Sequence, residues 1–185
     1  MRKFAKALAV ASVWASLVAL LAGCSEETRA VPDLPERMCW DVFSSEDVSP
    51  LLPSGKEAKF IADSHHAFYP DSSSLCSLQI DGAVRFQAEG RRLDFESDVD
   101  WTSWEKSDPE SIDVGKKGII WYSGAASYIV CEPSKGPDTP GRYIELSIYA
   151  YDQPSKGAEV AKNRRILRSL IEQFVAFAQK ELKCG

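Results

Sequence analysis

The sequence has very few of the side chains that most often bind metals or act as general bases. Only two histidines occur among the 185 residues, and they are adjacent, His65 and His66. Adjacent residues of a strand point to opposite faces, so this pair could share one metal only in a loop. The sequence also lacks a C-x-x-C pair, a G-x-S-x-G segment and a glycine-rich phosphate-binding loop. We therefore predict no metal site, no cofactor and no assigned catalytic residue.

Positive charge is scarce as well. The chain has 22 lysines and arginines against 27 aspartates and glutamates. An acidic protein gains nothing from contact with a phosphate backbone, so the composition argues against a nucleic-acid partner. The sequence contains no internal repeat and no low-complexity segment, and its length fits one domain with a substantial core.

The long apolar run of this chain lies at its amino terminus. Residues 7–23 carry no charge, and Arg2, Lys3 and Lys6 precede them. This is the pattern of a secretory signal peptide. The run is slightly short for a transmembrane helix, which needs about 20 apolar residues. Removal of the signal would take three cations with it and leave 19 basic against 27 acidic residues, a formal charge of −8.

The apolar run ends on a cysteine within the segment Leu21-Ala22-Gly23-Cys24. These four residues resemble the lipobox of bacterial lipoproteins at every motif position. The resemblance implies that a diacylglycerol is attached to the Cys24 thiol, that the signal peptide 1–23 is cleaved off, and that the new amino terminus is acylated. Two or three acyl chains, palmitate among them, would hold the protein stably on the membrane. We therefore expect a lipid-anchored protein on the extracytoplasmic side of the cell membrane. The alternative is an ordinary signal peptide that happens to precede a cysteine.

Four further cysteines are widely spaced at positions 39, 76, 131 and 184. An even number of cysteines in an exported chain favours two disulfides over a zinc site. Three connectivities are possible. We favour Cys39–Cys76 with Cys131–Cys184, because each bond then joins a helical or loop segment to a strand nearby in the sequence. Free thiols remain the alternative.

The chain after position 38 reads as strands followed by one long helix. Alternating apolar residues predict strands over 76–80, 83–89 and 143–151, and Asp81-Gly82 predicts a tight hairpin between the first two. Residues 118–133 read as two strands that turn at Ser123-Gly124. From Gly157 to Lys183 the apolar residues recur with helical period and form one stripe. The sequence therefore predicts an α+β fold, with an antiparallel sheet, a long carboxy-terminal helix packed on one face, and two disulfides.

The predicted organisation has three parts. Residues 1–23 are the signal peptide, residues 24–37 an acylated cysteine with a flexible tether, and residues 38–185 a single extracytoplasmic domain. This layout resembles that of small actinobacterial lipoproteins of uncharacterised function, a resemblance that implies no activity and no catalytic residues.

Four groups of residues are candidates for chemistry or binding. Histidines 65 and 66, and the acidic segment that contains Glu105, Asp108, Glu110 and Asp113, are typical of solvated loops. Tyr143, Tyr149 and Tyr151 alternate with the apolar residues of their strand, so they are expected on the face that the helix leaves open. Trp101 and Trp104 lie three residues apart. They either close one end of the core or extend this aromatic face.

Two hypotheses for the function follow. The first is a membrane-anchored, non-enzymatic binding or structural module whose partner is an unknown envelope protein or a glycan. Tyrosine suits such a binding face, because it combines a large apolar ring with a hydroxyl group. The second hypothesis is an envelope hydrolase that acts on peptidoglycan or surface glycan, with carboxylates near Asp108 or with the two histidines.

Overall fold

The structure is a computed structural model that describes residues 30–62, 73–94, 96, 101, 108–131 and 143–184. Nine strands lie within these ranges: β1 (Arg37–Met38), β2 (Phe43–Ser44), β3 (Ala58–Ala62), β4 (Ser74–Ile80), β5 (Ala83–Leu93), β6 (Glu110–Ile112), β7 (Lys117–Trp121), β8 (Gly124–Val130) and β9 (Tyr143–Ala150). The first two form a small hairpin. The other seven form one sheet in the order β3-β4-β5-β9-β8-β7-β6, and every neighbouring pair is antiparallel.

Tight turns set the register of the sheet. Asp81 and Gly82 connect β4 and β5 with positive φ angles of 50° and 80°. A two-residue hairpin of this type needs both residues in the left-handed region, and Asp-Gly supplies them at little steric cost. Tyr122 and Ser123 form a second two-residue connection, between β7 and β8.

The carboxy-terminal helix α2 (Ala158–Leu182) lies on one face of the sheet, chiefly on β8 and β9. Its buried apolar residues form one stripe: Leu167, Leu170, Ile171, Phe174, Val175 and Ala178. This spacing of three and four residues places them on the same side of a helix. They share a continuous core with Ile144, Leu146 and Ile148 of β9.

A small amino-terminal layer packs against the distal half of α2. It consists of the hairpin β1–β2, the short helix α1 (Ser45–Val48) and a 3-10 turn at Ser49–Leu51. The ring of Phe174 lies between Trp40 and Phe43, at centroid distances of 5.9 and 5.7 Å. Phe43 in turn meets Phe86 of β5 edge to face at 5.5 Å. Aromatic rings therefore connect the helix, this layer and the sheet.

Two disulfides join these parts. Cys39–Cys76 connects the amino-terminal layer to β4, and Cys131–Cys184 connects the end of β8 to the residue that follows the last turn of α2. Both predicted pairings are confirmed, as is the predicted α+β class with a long helix packed on one face of an antiparallel sheet.

The described chain begins beside the β4–β5 turn. The Gly55 amide donates a hydrogen bond of 3.1 Å to the carbonyl of Ala30. Val31 and Leu34 are half-buried and pack against the core. Packing against the core thus begins upstream of position 38, the predicted start of the domain. Residues 24–29 of the expected tether lie outside the described residues.

Candidate functional site

The sheet face that points away from α2 is the candidate site, and we call it the open face. Strand residues alternate between the two faces. On β9, Ile144, Leu146 and Ile148 are fully buried under α2. The residues that alternate with them belong to the open face: Tyr143, Glu145, Ser147 and Tyr149. Tyr143 and Tyr149 are half-buried, while Tyr151, just after the strand, is 38% exposed.

Three rings follow one another across this face and form what we call the aromatic row: Trp121, Tyr149 and Tyr151. The rings of Trp121 and Tyr149 meet edge to face at 5.6 Å, and those of Tyr149 and Tyr151 stack at 6.2 Å with 24° between their planes. Gly124 makes the first contact possible, since a β-carbon there would lie 2.3 Å from the Trp121 ring. The absence of a side chain lets the indole lie flat over β8.

Polar groups border the aromatic row. Gln87 pairs with Tyr149 across β5 and β9, and its side-chain oxygen accepts a hydrogen bond of 3.2 Å from the Tyr151 hydroxyl. Burial raises the pKa of Tyr151, and the nearby Tyr149 and Glu89 raise it further. The Tyr151 hydroxyl therefore keeps its proton at neutral pH and acts as a donor. Rings and hydrogen-bonding groups lie side by side here.

Exposed apolar side chains continue the open face toward the β3 edge. Ile61 is 45% exposed and Leu75 is 36% exposed. Ile61 pairs with Ser77, Ser77 with Gln87, and Leu75 with Glu89, so both side chains belong to the open face. Together with Tyr151 they are the large apolar residues that the described chain exposes most.

A second group, the Tyr128 cluster, occupies the other end of the open face: Glu96, Trp101, Lys117, Tyr128 and Tyr143. The Tyr128 hydroxyl donates a hydrogen bond to Glu96. Its ring lies 5.9 Å from that of Trp101 and 6.2 Å from that of Tyr143. The ammonium group of Lys117 lies over the Trp101 ring at 4.3 Å, a distance typical of a cation–π contact. Burial, followed by the hydrogen bond that Tyr128 donates to Glu96, raises the pKa of Tyr128 to about 12.

A charge pair lies between the two aromatic groups. Arg91 donates to one oxygen of Glu145 from Nη2 at 2.7 Å and from Nε at 3.2 Å. The Glu145 side chain is only 4% exposed. A carboxylate so deeply buried is tolerated because a charge-assisted pair compensates its lost hydration. This pair and Tyr128 form the buried centre of the open face.

The structure brings together some of the residues named from the sequence and separates others. Tyr149 and Tyr151 are stacked, whereas Tyr143 belongs to the Tyr128 cluster with Trp101. The predicted site residues Cys24 and Trp104, and both histidines, lie outside the described residues. Sequence reasoning missed Trp121, Tyr128 and Glu145, which are buried at the centre of the face. Alternation along β7 and β8 is the signal that places a residue on one face of its strand, and it could have predicted the face of the Trp121 and Tyr128 rings.

The acidic segment points to a different part of the molecule. Glu110 pairs with Arg164 of α2, and the Asp108 carbonyl accepts a hydrogen bond of 3.5 Å from the same guanidinium. Asp113 is exposed, and Glu105 lies outside the described residues. Across the described ranges, no three histidine, cysteine, aspartate or glutamate side chains form a group that could hold a metal.

Comparison with known proteins gave no relative: no family model, no curated protein and no solved structure matches this chain. Among the described residues, no helix combines the length and the apolar character needed to cross a membrane. The open face is therefore characterised by its own geometry, in which two stacked tyrosines adjoin amide, carboxylate and hydroxyl groups.

Proposed function

We propose that this chain is a lipid-anchored protein of the cell envelope that binds a glycan strand on its open face without altering it chemically. The observation that carries the proposal is the stacked pair Tyr149 and Tyr151 beside Gln87 and Glu89, with the Trp121 ring buried next to Tyr149. Aromatic rings supply flat apolar surface at low entropic cost, and neighbouring amide and carboxylate groups can bond to hydroxyl groups of a ligand.

The polarity of the open face favours a glycan over a protein partner. The fully buried centre of a protein–protein interface is apolar and depleted of charged residues. Here the half-buried Tyr149 of β9 lies beside a row of half-buried polar residues on β5, namely Gln87, Glu89 and Arg91. The most exposed large apolar side chains of the described chain are Ile61, Leu75 and Tyr151. A ligand that is itself polar, yet has flat apolar patches, fits this mixture better than a continuous apolar surface would.

The proposal predicts that Tyr151→Ala weakens sedimentation of the purified protein with isolated peptidoglycan. Removal of one stacking ring should lower the affinity roughly fivefold, since such contacts contribute about 1 kcal/mol. The ring is 38% exposed, so the melting temperature should change little. Tyr151→Phe keeps the ring and loses the hydrogen bond to Gln87, so it should retain most of the binding.

A control outside the face is Glu172→Ala on the exposed side of α2, which should bind like the wild type. Equal binding by Tyr151→Ala and the wild type would contradict the proposal. If Tyr151→Ala binds peptidoglycan normally but no longer binds a co-purified envelope protein, the partner of the open face is a protein instead. Release of soluble sugar from the glycan would identify the hydrolase alternative.

A further inference from the structure

A cavity of about 410 Å³ lies on the other layer of the molecule, between the first half of α2 and the β6–β7 edge. It is distinct from the open face, because α2 covers the opposite side of the sheet. Three arginines, Arg164, Arg165 and Arg168, and the carboxylate of Glu110 line it, beside small or apolar residues that include Ile120 and Gly157. The volume is in the range typical of small-molecule sites.

The charges around this cavity are unbalanced. Glu110 is the one acid in its lining and is paired with Arg164. Arg165 and Arg168 are exposed and form no ion pair with any of the residues that the structure describes. In a chain with more acidic than basic residues, this is a local excess of positive charge.

The spacing of the arginines is unfavourable for the helix alone. Arg164 and Arg168 are four residues apart, and Arg165 and Arg168 are three apart, so their side chains are neighbours on the helix surface. Like charges at these spacings destabilise a helix by a few tenths of a kcal/mol per pair. A bound anion would relieve this repulsion.

We infer that this cavity is a binding site for a phosphate group, held chiefly by Arg165 and Arg168. The guanidinium group is planar and presents a fork of N–H donors that matches two phosphate oxygens at once. The two unpaired cations match the charge of a phosphate monoester or of two neighbouring phosphodiesters. The same chemistry is offered by a free phosphate compound and by the headgroup of an anionic phospholipid.

The test uses the full chain in neutral detergent micelles, titrated by calorimetry with inorganic phosphate and with glycerophosphoglycerol, the soluble deacylated form of phosphatidylglycerol. A second arm places the chain in nanodiscs of phosphatidylcholine with or without phosphatidylglycerol and follows hydrogen exchange of the α2 amides. The double variant Arg165→Gln/Arg168→Gln should lose affinity about tenfold or more, as expected for the loss of charge-assisted hydrogen bonds.

The matched control is Lys162→Gln/Lys180→Gln. It changes the net charge equally on the same helix, but neither lysine lines the cavity. Soluble phosphate binding that only the arginine variant loses would identify a free phosphate ligand. Protection of α2 that requires phosphatidylglycerol and these arginines would identify a lipid headgroup.

Two results would overturn the inference. One is the absence of both phosphate binding and lipid-dependent protection. The other is an equal loss of phosphate affinity in the arginine and lysine variants, which would show that the binding depends only on the net charge of the helix. Failure of the glycan proposal would leave this site unaffected, since neither arginine lies on the open face.

Discussion

At the scale of single residues, Tyr128 makes the stability of the fold depend on pH. Its hydroxyl donates to Glu96, and its pKa is raised from 10.0 to about 12, first by burial and then by Glu96. The folded state therefore keeps the phenol proton at a pH where the unfolded chain has lost it. This contribution to stability is complete below pH 10 and is lost as the pH rises toward 12.

We predict that the free energy of unfolding falls by about 1 kcal/mol through Tyr128 alone between pH 9 and pH 11. Urea unfolding at a series of pH values, followed by tryptophan fluorescence, measures this slope. Tyr128→Phe removes the ionisable group and should be flatter than the wild type over the same interval. Identical slopes in the two proteins would contradict the assigned role of Tyr128.

At the scale of elements, the contact of α2 with the amino-terminal layer rests on Phe174. Its ring is completely buried and touches the rings of Trp40 and Phe43. We predict that Phe174→Ala lowers the free energy of unfolding by about 3 to 5 kcal/mol, because it removes a large apolar group and leaves a cavity. Chemical denaturation measures the change.

The control on the same helix is Glu172→Ala, at an exposed position two residues away. It should change stability by less than about 0.5 kcal/mol, as surface substitutions usually do. A loss below about 1 kcal/mol for Phe174→Ala would mean that the amino-terminal layer collapses onto the helix without this ring.

The elements that the sequence predicted best are those with a long, clean period. Strand β9 alternates over eight residues, and α2 repeats its apolar stripe over 25 residues, so local pattern determined both. Strands β1, β2 and β6 have two or three residues each, too few for any period. The pairing of β5 with β9 joins segments about 60 residues apart, and no local signal specifies it.

The same limit applies to the candidate site. The face occupied by Tyr149 was predictable from alternation within β9. Its contact with Trp121 was not, because that contact depends on the order of three strands and on the space left by Gly124. The charge pair of Arg91 and Glu145 likewise forms only once β5 and β9 are neighbours.

At the scale of the whole molecule, the lipid anchor is the prediction with the clearest chemical readout. We expect that Cys24→Ala neither takes up labelled palmitate in the cell nor fractionates with membranes as the mature lipoprotein. The physical reason is that the thiol is the site of acylation that the lipobox implies, and acyl chains supply the membrane affinity.

The neighbouring substitution Ser25→Ala is the matched control and should be labelled and localised like the wild type. Palmitate incorporation into Cys24→Ala would contradict the lipobox interpretation. Mapping the palmitate label to peptides separates acylation of residue 24 from acylation of any other residue.

The hydrogen bond between Gly55 and Ala30 sets how far the domain can travel from such an anchor. Cys24 and Ala30 are six residues apart, and an extended chain spans at most about 3.5 Å per residue, so the reach is roughly 20 Å. If Cys24 carries the predicted anchor, a domain held this closely explores only a thin layer beside the membrane. A ligand at the membrane surface would then be met far more often than the same ligand deeper in the envelope.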